Sequence, residues 1–168
     1  PETIRLTARS SPIDATVRLP GSKSLTNRAL LLAALANGES HLHGILFADD
    51  SRLMIDALRG LGIPIRIDEA ECTASLSGAA GRWPNAEASL FCGNAGTVIR
   101  FLTAACTIDH GHYRLDGVPR MRERPIAELV DALRDLGAQI GYSERPGYCP
   151  LTIRAAGLRG GSIERAAT

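Results

Sequence analysis

The chain has 168 residues, is 45% hydrophobic and 22% charged, and carries a formal net charge of +1. That suffices for a packed core in one ordinary domain or a large part of a bigger protein, and it excludes a disordered tail. With only 4% aromatics, no apolar run near the ~18 residues of a membrane span and no basic segment leading an apolar one at the N-terminus, neither nucleic acid, membrane nor a secretory signal is expected.

In chain order, residues 3–6 and 16–19 read as strands. Residues 25–36 are apolar nearly all round, which predicts a buried helix ended by Asn37-Gly38. Residues 51–61 carry Leu53, Ile55, Leu58 and Leu61, an amphipathic helix stopping at Gly62, and 63–67 alternate as a strand. A second buried helix is expected over 97–107. A second amphipathic one follows over 126–136, with Pro125 at its first turn. Residues 138–142 and 151–154 read as strands, and 162–165 as the start of another. Strands and helices interleave, so the fold class is α/β.

The chain also repeats itself. Asp56-Ala57-Leu58-Arg59-Gly60-Leu61-Gly62 returns 75 residues on as Asp131-Ala132-Leu133-Arg134-Asp135-Leu136-Gly137, from 56 to 131. Leu42-His43-Gly44 is echoed by Leu115-Asp116-Gly117, and Arg28 in one apolar run by Arg100 in the other. Three matches in one order point to two copies of a unit of roughly 75 residues.

Cys72, Cys92, Cys106 and Cys149 form no CxxC pair and have no histidines at zinc-ligand spacing, so no metal is expected. Isolated cysteines suit a reducing, cytoplasmic setting. The pairs His41/His43 and His110/His112 read as strand or loop residues. Among nineteen basic residues, Lys23 is the one lysine.

Helix N-termini carry partial positive charge and free N–H groups, so acidic or neutral caps are expected there. Asp49-Asp50-Ser51 obeys this rule as an ordinary acidic cap. Three other helix starts break it: Lys23 with Arg28, Arg100 after Gly93-Asn94-Ala95-Gly96-Thr97, and Arg120, Arg122 and Arg124 before the fourth helix. Three such violations argue for an anionic ligand carrying phosphate or carboxylate. At the first site Gly21 permits close approach, Ser24 can cap the helix or donate to an anion, and Arg28 shares its face. This is not a P-loop, because Val17 and Ser22 stand where that motif needs glycine. At the second, backbone amides approach a ligand; Asn94 and Thr97 suit turn and cap roles as well as ligand contact, and Arg100 suits a structural ion pair as well. At the third, an extended backbone would put Arg120, Arg122 and Arg124 on one face, with Glu123 able to pair with one of them.

Pro20-Gly21-Ser22-Lys23-Ser24 with Asn27-Arg28-Ala29-Leu30, then Gly93-Asn94-Ala95-Gly96-Thr97, then Arg120-Met121-Arg122-Glu123-Arg124-Pro125-Ile126 together resemble the 5-enolpyruvylshikimate-3-phosphate synthase family, from about residue 3 to the end. The resemblance implies transfer of the enolpyruvyl group of phosphoenolpyruvate to the 5-hydroxyl of shikimate 3-phosphate with phosphate release, in the chorismate pathway that glyphosate inhibits. No cofactor is implied. By this likeness Lys23 is catalytic and touches both substrates. Ser24 and Arg28 contact shikimate 3-phosphate, and Asn94, Gly96 and Arg124 contact phosphoenolpyruvate. Phe101 departs from the proline that many members carry, and Val98 from their alanine.

The family fold is an inside-out α/β barrel of repeated βαβαββ units, three to each of two domains, and the family's enzymes are more than twice as long. The N-terminal domain is therefore expected to be incomplete. Residues 1–19 would pack with the second domain, 20–92 and 93–157 would form two units, and 158–168 would begin a third. The partner is then the remaining C-terminal part of the enzyme, and the 168-residue chain is expected to have little activity alone. The alternatives are a non-catalytic anion-binding fragment of the same fold, or the sister enzyme acting on a UDP-sugar, UDP-N-acetylglucosamine enolpyruvyl transferase. Lys23-Ser24 speaks against the latter, which has a lysine–asparagine pair there, and Cys92 and Cys106 read as packing residues.

Overall fold

The computed structural model describes residues 3–5, 11–17 and 19–164. The first copy of the repeat holds α1 (Lys23–Leu35), β1 (Asn37–His43), α2 (Asp49–Gly60), β2 (Ile65–Asp68) and β3 (Thr73–Ala79). Then come β4 (Glu87–Phe91), α3 (Gly96–Ala105), β5 (His110–Asp116), a 3-10 turn (Met121–Glu123), α4 (Ala127–Asp135), β6 (Gln139–Tyr142) and β7 (Leu151–Ala156). Both histidine pairs fall in strands, β1 and β5.

The two copies build the same sheet. One sheet has the order β1-β3-β2 and the other β4-β5-β7-β6. β5, β7 and β6 thus repeat β1, β3 and β2, antiparallel throughout, while β4 adds to β5 in parallel. Local detail repeats too. Gly62 and Gly137 both have left-handed backbone, at φ 93° and 100°. Each lets the next amide reach back to a helix carbonyl, Ile63 to Leu58 at 3.0 Å and Ala138 to Leu133 at 2.9 Å. Arg59 and Arg134, in the last helical turns, both donate to a strand carbonyl six residues on, that of Ile65 at 2.9 Å and of Ile140 at 2.6 Å.

Each amphipathic helix buries its apolar stripe, α2 against α1 and β4, and α4 against α3 and β6. Met54, Ile55 and Leu58 of α2 are buried, as are Val130 and Leu133 of α4. Trp83 joins the layers, its Nε1 donating to the Ala105 carbonyl at 3.1 Å. α1 rests on β3 through Gly78, where a Cβ would strike the Ala33 and Ala36 carbonyls. α1 and α3 also meet, with Asn27 Nδ2 donating to Thr97 Oγ1 at 3.2 Å.

Three expectations are corrected. Of 3–6 and 16–19, residues 3–5, 16, 17 and 19 lie in no strand, and Leu6 and Arg18 fall outside the described residues. Ile4, Ile13, Val17 and Leu19 are exposed, so this β-prone sequence lacks the ladder partner a strand requires. Residues 162–164 are likewise unpaired, with Arg165 outside the described residues. α1 is not buried all round: Leu25 and Leu32, seven residues apart on one face, are 66% and 65% exposed. That face points away from α2, β3 and α3.

Candidate active site

Three helix N-termini open onto one groove of about 1030 Å³. Lys23, Ser24 and Arg28 come from α1, and Asp49, Asp50, Arg52 and Asp56 from α2. The turn of residues 93–97, with Arg100 and Phe101 of α3, forms the facing wall, and Arg124 reaches in from the segment before α4. Lys23, Ser24, Arg28, Asn94, Gly96 and Arg124, scattered over a hundred residues of sequence, therefore line one space.

At the first wall, α1 begins at Lys23, earlier than its apolar run suggests. Ser22 caps it, accepting from the Leu25 amide at 3.4 Å, so Ser24 is not the cap. Ser24 sits within the first turn, where its hydroxyl is spared for a ligand. Gly21 is required here, because a Cβ would run into the Gly44 carbonyl. Arg28 Nη1 donates to the Ser24 carbonyl at 3.1 Å and its guanidinium lies 5.4 Å from the centre of the Phe101 ring. The Lys23 ammonium stands 3.2 Å from Asp50 Oδ2.

At the second wall, Gly93 takes left-handed backbone at φ 54°, and a Cβ on it would approach Leu53 Cδ1 to 2.7 Å. The chain then turns, the Ala95 amide donating to the Cys92 carbonyl at 3.0 Å. Ala95 is the N-cap of α3, with no side-chain cap bond and no acidic residue in the first turn. The positive end of this helix is thus uncompensated where it meets the groove. Arg124 lies across it, Nη1 donating to the Asn94 carbonyl at 3.0 Å. A Cβ at Gly96 would come within 2.5 Å of Arg124 Nη2, so the glycine makes room for the guanidinium. The uncapped amides of a helix start and a guanidinium fork at one spot suit a phosphate or carboxylate.

Arg120, Arg122 and Arg124 do not share a face, because Met121–Glu123 winds into a 3-10 turn. Arg120 pairs with Glu123 at 2.5 Å. Arg122 turns away to Asp116, through Nε at 3.0 Å and Nη2 at 2.6 Å, and to Glu144 at 3.0 Å. Burial opposes the charge on Asp116, but the Arg122 guanidinium and the Gly117 amide overcome it and hold the carboxyl below the usual range. Arg100 lines the groove while donating to the Pro125 carbonyl at 2.9 Å.

Cys92 and Cys106 are fully buried, and burial raises both thiols, Cys92 to about 12. They pack against the core as inert side chains. Sequence reasoning missed two couplings. Asp50 reads as a helix cap but serves Lys23, and Asn27, wholly buried, is the strut to Thr97. Only a polar residue in a stripe of leucines hints at the latter.

A family model for EPSP synthase (3-phosphoshikimate 1-carboxyvinyltransferase) matches residues 7–168. The chain belongs to the EPSP synthase family. It is 53% identical over 146 residues to the 3-phosphoshikimate 1-carboxyvinyltransferase of Paraburkholderia phymatum, covering 87% of this chain and 33% of that protein. It is 45% identical over 162 residues to that of Nostoc punctiforme, covering 96% and 38%. The solved structure of EPSP synthase from Acinetobacter baumannii superimposes with a TM-score of 0.75 at 26% identity, over 83% of this chain and 31% of that one. The enolpyruvyl transferase NikO from Streptomyces tendae, at 19% identity and TM-score 0.58 over 89% and 32%, shares the fold. The α/β fold expected from the sequence is thus that of EPSP synthases, and the chain spans about a third of the length of these relatives.

Proposed function

We propose that this chain supplies the N-terminal half of an active site that transfers the enolpyruvyl group of phosphoenolpyruvate to the 5-hydroxyl of shikimate 3-phosphate, releasing phosphate. The observation that carries the reading is the convergence of Lys23, Ser24, Arg28, Asn94, Gly96 and Arg124 on one groove. Both substrates are anions, and the groove offers Lys23, Arg28, Arg100 and Arg124 together with the open N-terminus of α3.

In this reading Lys23 touches both substrates and either stabilises charge developing on phosphoenolpyruvate oxygens or delivers a proton. Ser24 and Arg28 hold shikimate 3-phosphate. Gly96 through its amide, Arg124 through its fork and Asn94 through the same turn hold phosphoenolpyruvate. The remaining polypeptide closes the groove from the other side and supplies the other half of the contacts. The four free cysteines and the absence, among the described residues, of any helix able to cross a membrane accord with a cytoplasmic enzyme. The test is phosphate release by the full-length polypeptide. It is expected only when phosphoenolpyruvate and shikimate 3-phosphate are both present, and Lys23→Met lowers it about a hundredfold or more, the effect of losing one charge-stabilising group. Release independent of shikimate 3-phosphate, or unaffected by Lys23→Met, overturns the assignment.

A further inference from the structure

We propose that Asp50 is the positioning residue for Lys23, a role that rests on the reading of Lys23 as a substrate contact. Arg28, Arg100 and Arg124 are each anchored on a backbone carbonyl, those of Ser24, Pro125 and Asn94. Lys23 is anchored differently. It occupies the first turn of α1, where the helix dipole repels a cation, and its flexible stem leaves the side chain half exposed. Asp50, on another helix, offsets that repulsion from 3.2 Å.

The backbone that carries this carboxylate is itself held in place. Ser51, next in sequence and fully buried, donates to the Leu46 carbonyl at 2.5 Å and accepts from the Ala48 amide at 2.8 Å. The Leu46 amide in turn donates to Thr26 Oγ1 on α1 at 3.0 Å. Lys23, Thr26, Leu46, Ser51 and Asp50 thus close a ring that ties the two helix starts together and fixes where the ammonium stands. α2 does not need Asp50 for its own end, because Ser51 makes the capping bond and Asp49 supplies a second first-turn acid. The spare carboxylate is spent on Lys23.

The test is a double-mutant cycle in the full-length polypeptide, with kcat and KM for both substrates measured in Asp50→Asn, Asp50→Glu, Lys23→Met and the Lys23→Met/Asp50→Asn pair. Asparagine is also favoured at helix starts, so Asp50→Asn preserves the fold. Asp50→Asn is expected to lower kcat/KM about tenfold or more, the worth of a charge-assisted bond, with Asp50→Glu recovering part of the loss. The pair is expected to be no worse than Lys23→Met alone, because Asp50 acts only through that lysine. Losses that multiply in the pair, or wild-type kinetics in Asp50→Asn, overturn the proposal while leaving the site reading intact. Wild-type turnover in Lys23→Met overturns the site reading itself, and the proposal with it.

Discussion

Single atoms decide the behaviour of this site. At Gly96 there is room for hydrogen and not for carbon, since a Cβ would stand 2.5 Å from the Arg124 guanidinium. Gly96→Ala pushes that guanidinium off the start of α3. Steady-state kinetics of the full-length polypeptide are expected to show KM for phosphoenolpyruvate raised about tenfold or more, the worth of a displaced charge-assisted contact, with KM for shikimate 3-phosphate little changed. The guanidinium moves at its flexible end, so the melting temperature stays near wild type. Asp116 is the second case. Its native carboxyl titrates below the unfolded value of about 3.9, so its contribution is complete above that value and is lost as pH falls through the native one. Asp116→Asn therefore costs about 1–2 kcal/mol in urea unfolding at pH 7, and the gap to wild type narrows as pH falls below the unfolded value of about 3.9.

Elements were legible where local chemistry sets them and illegible where partners do. The four helices follow from periodicity and from glycine stops. The start of α1 did not: the apolar run suggests residue 25 with Ser24 as a possible cap, but the helix begins two residues earlier and Ser22 caps it. The arginine run likewise reads as a ladder until its residues wind into a 3-10 turn and only Arg124 enters the groove. Residues 16, 17 and 19 have strand composition without a strand, because pairing is a property of two segments. The repeat, by contrast, was visible, and it makes a prediction about elements. Gly62 and Gly137 end equivalent helices with the same left-handed backbone, but a Cβ meets Pro84 at 2.7 Å in one case and the long, rotatable Arg159 side chain at 2.8 Å in the other. Denaturant unfolding is expected to show Gly137→Ala costing about 1–2 kcal/mol, the left-handed penalty alone, and Gly62→Ala clearly more. Equal losses would mean that the Pro84 contact relaxes freely.

At the scale of the molecule, the two copies differ in what completes them. β4 lies on the outer edge of β5, while the equivalent edge of β1 has no strand beside it among the described residues. Leu25 and Leu32 on α1 and Phe91 and Ile108 near α3 are exposed. Such surface suits a chain one third the length of its relatives better than a freestanding unit. In the proposed reading the groove has the same character, an anion-binding wall that the remaining polypeptide closes. The wall was legible as three breaches of the helix-dipole rule. What holds it was not, because the Lys23–Asp50 and Asn27–Thr97 contacts join residues 27 and 70 positions apart, and nothing local announces them.

The most direct test of the half-site account is native mass spectrometry of this chain mixed with the separately prepared remaining C-terminal part of the polypeptide and shikimate 3-phosphate. The account predicts a one-to-one complex that retains the ligand and that releases phosphate once phosphoenolpyruvate is added, with neither polypeptide releasing it alone. A one-to-one complex that forms but releases no phosphate, or release by the C-terminal part without this chain, would contradict it.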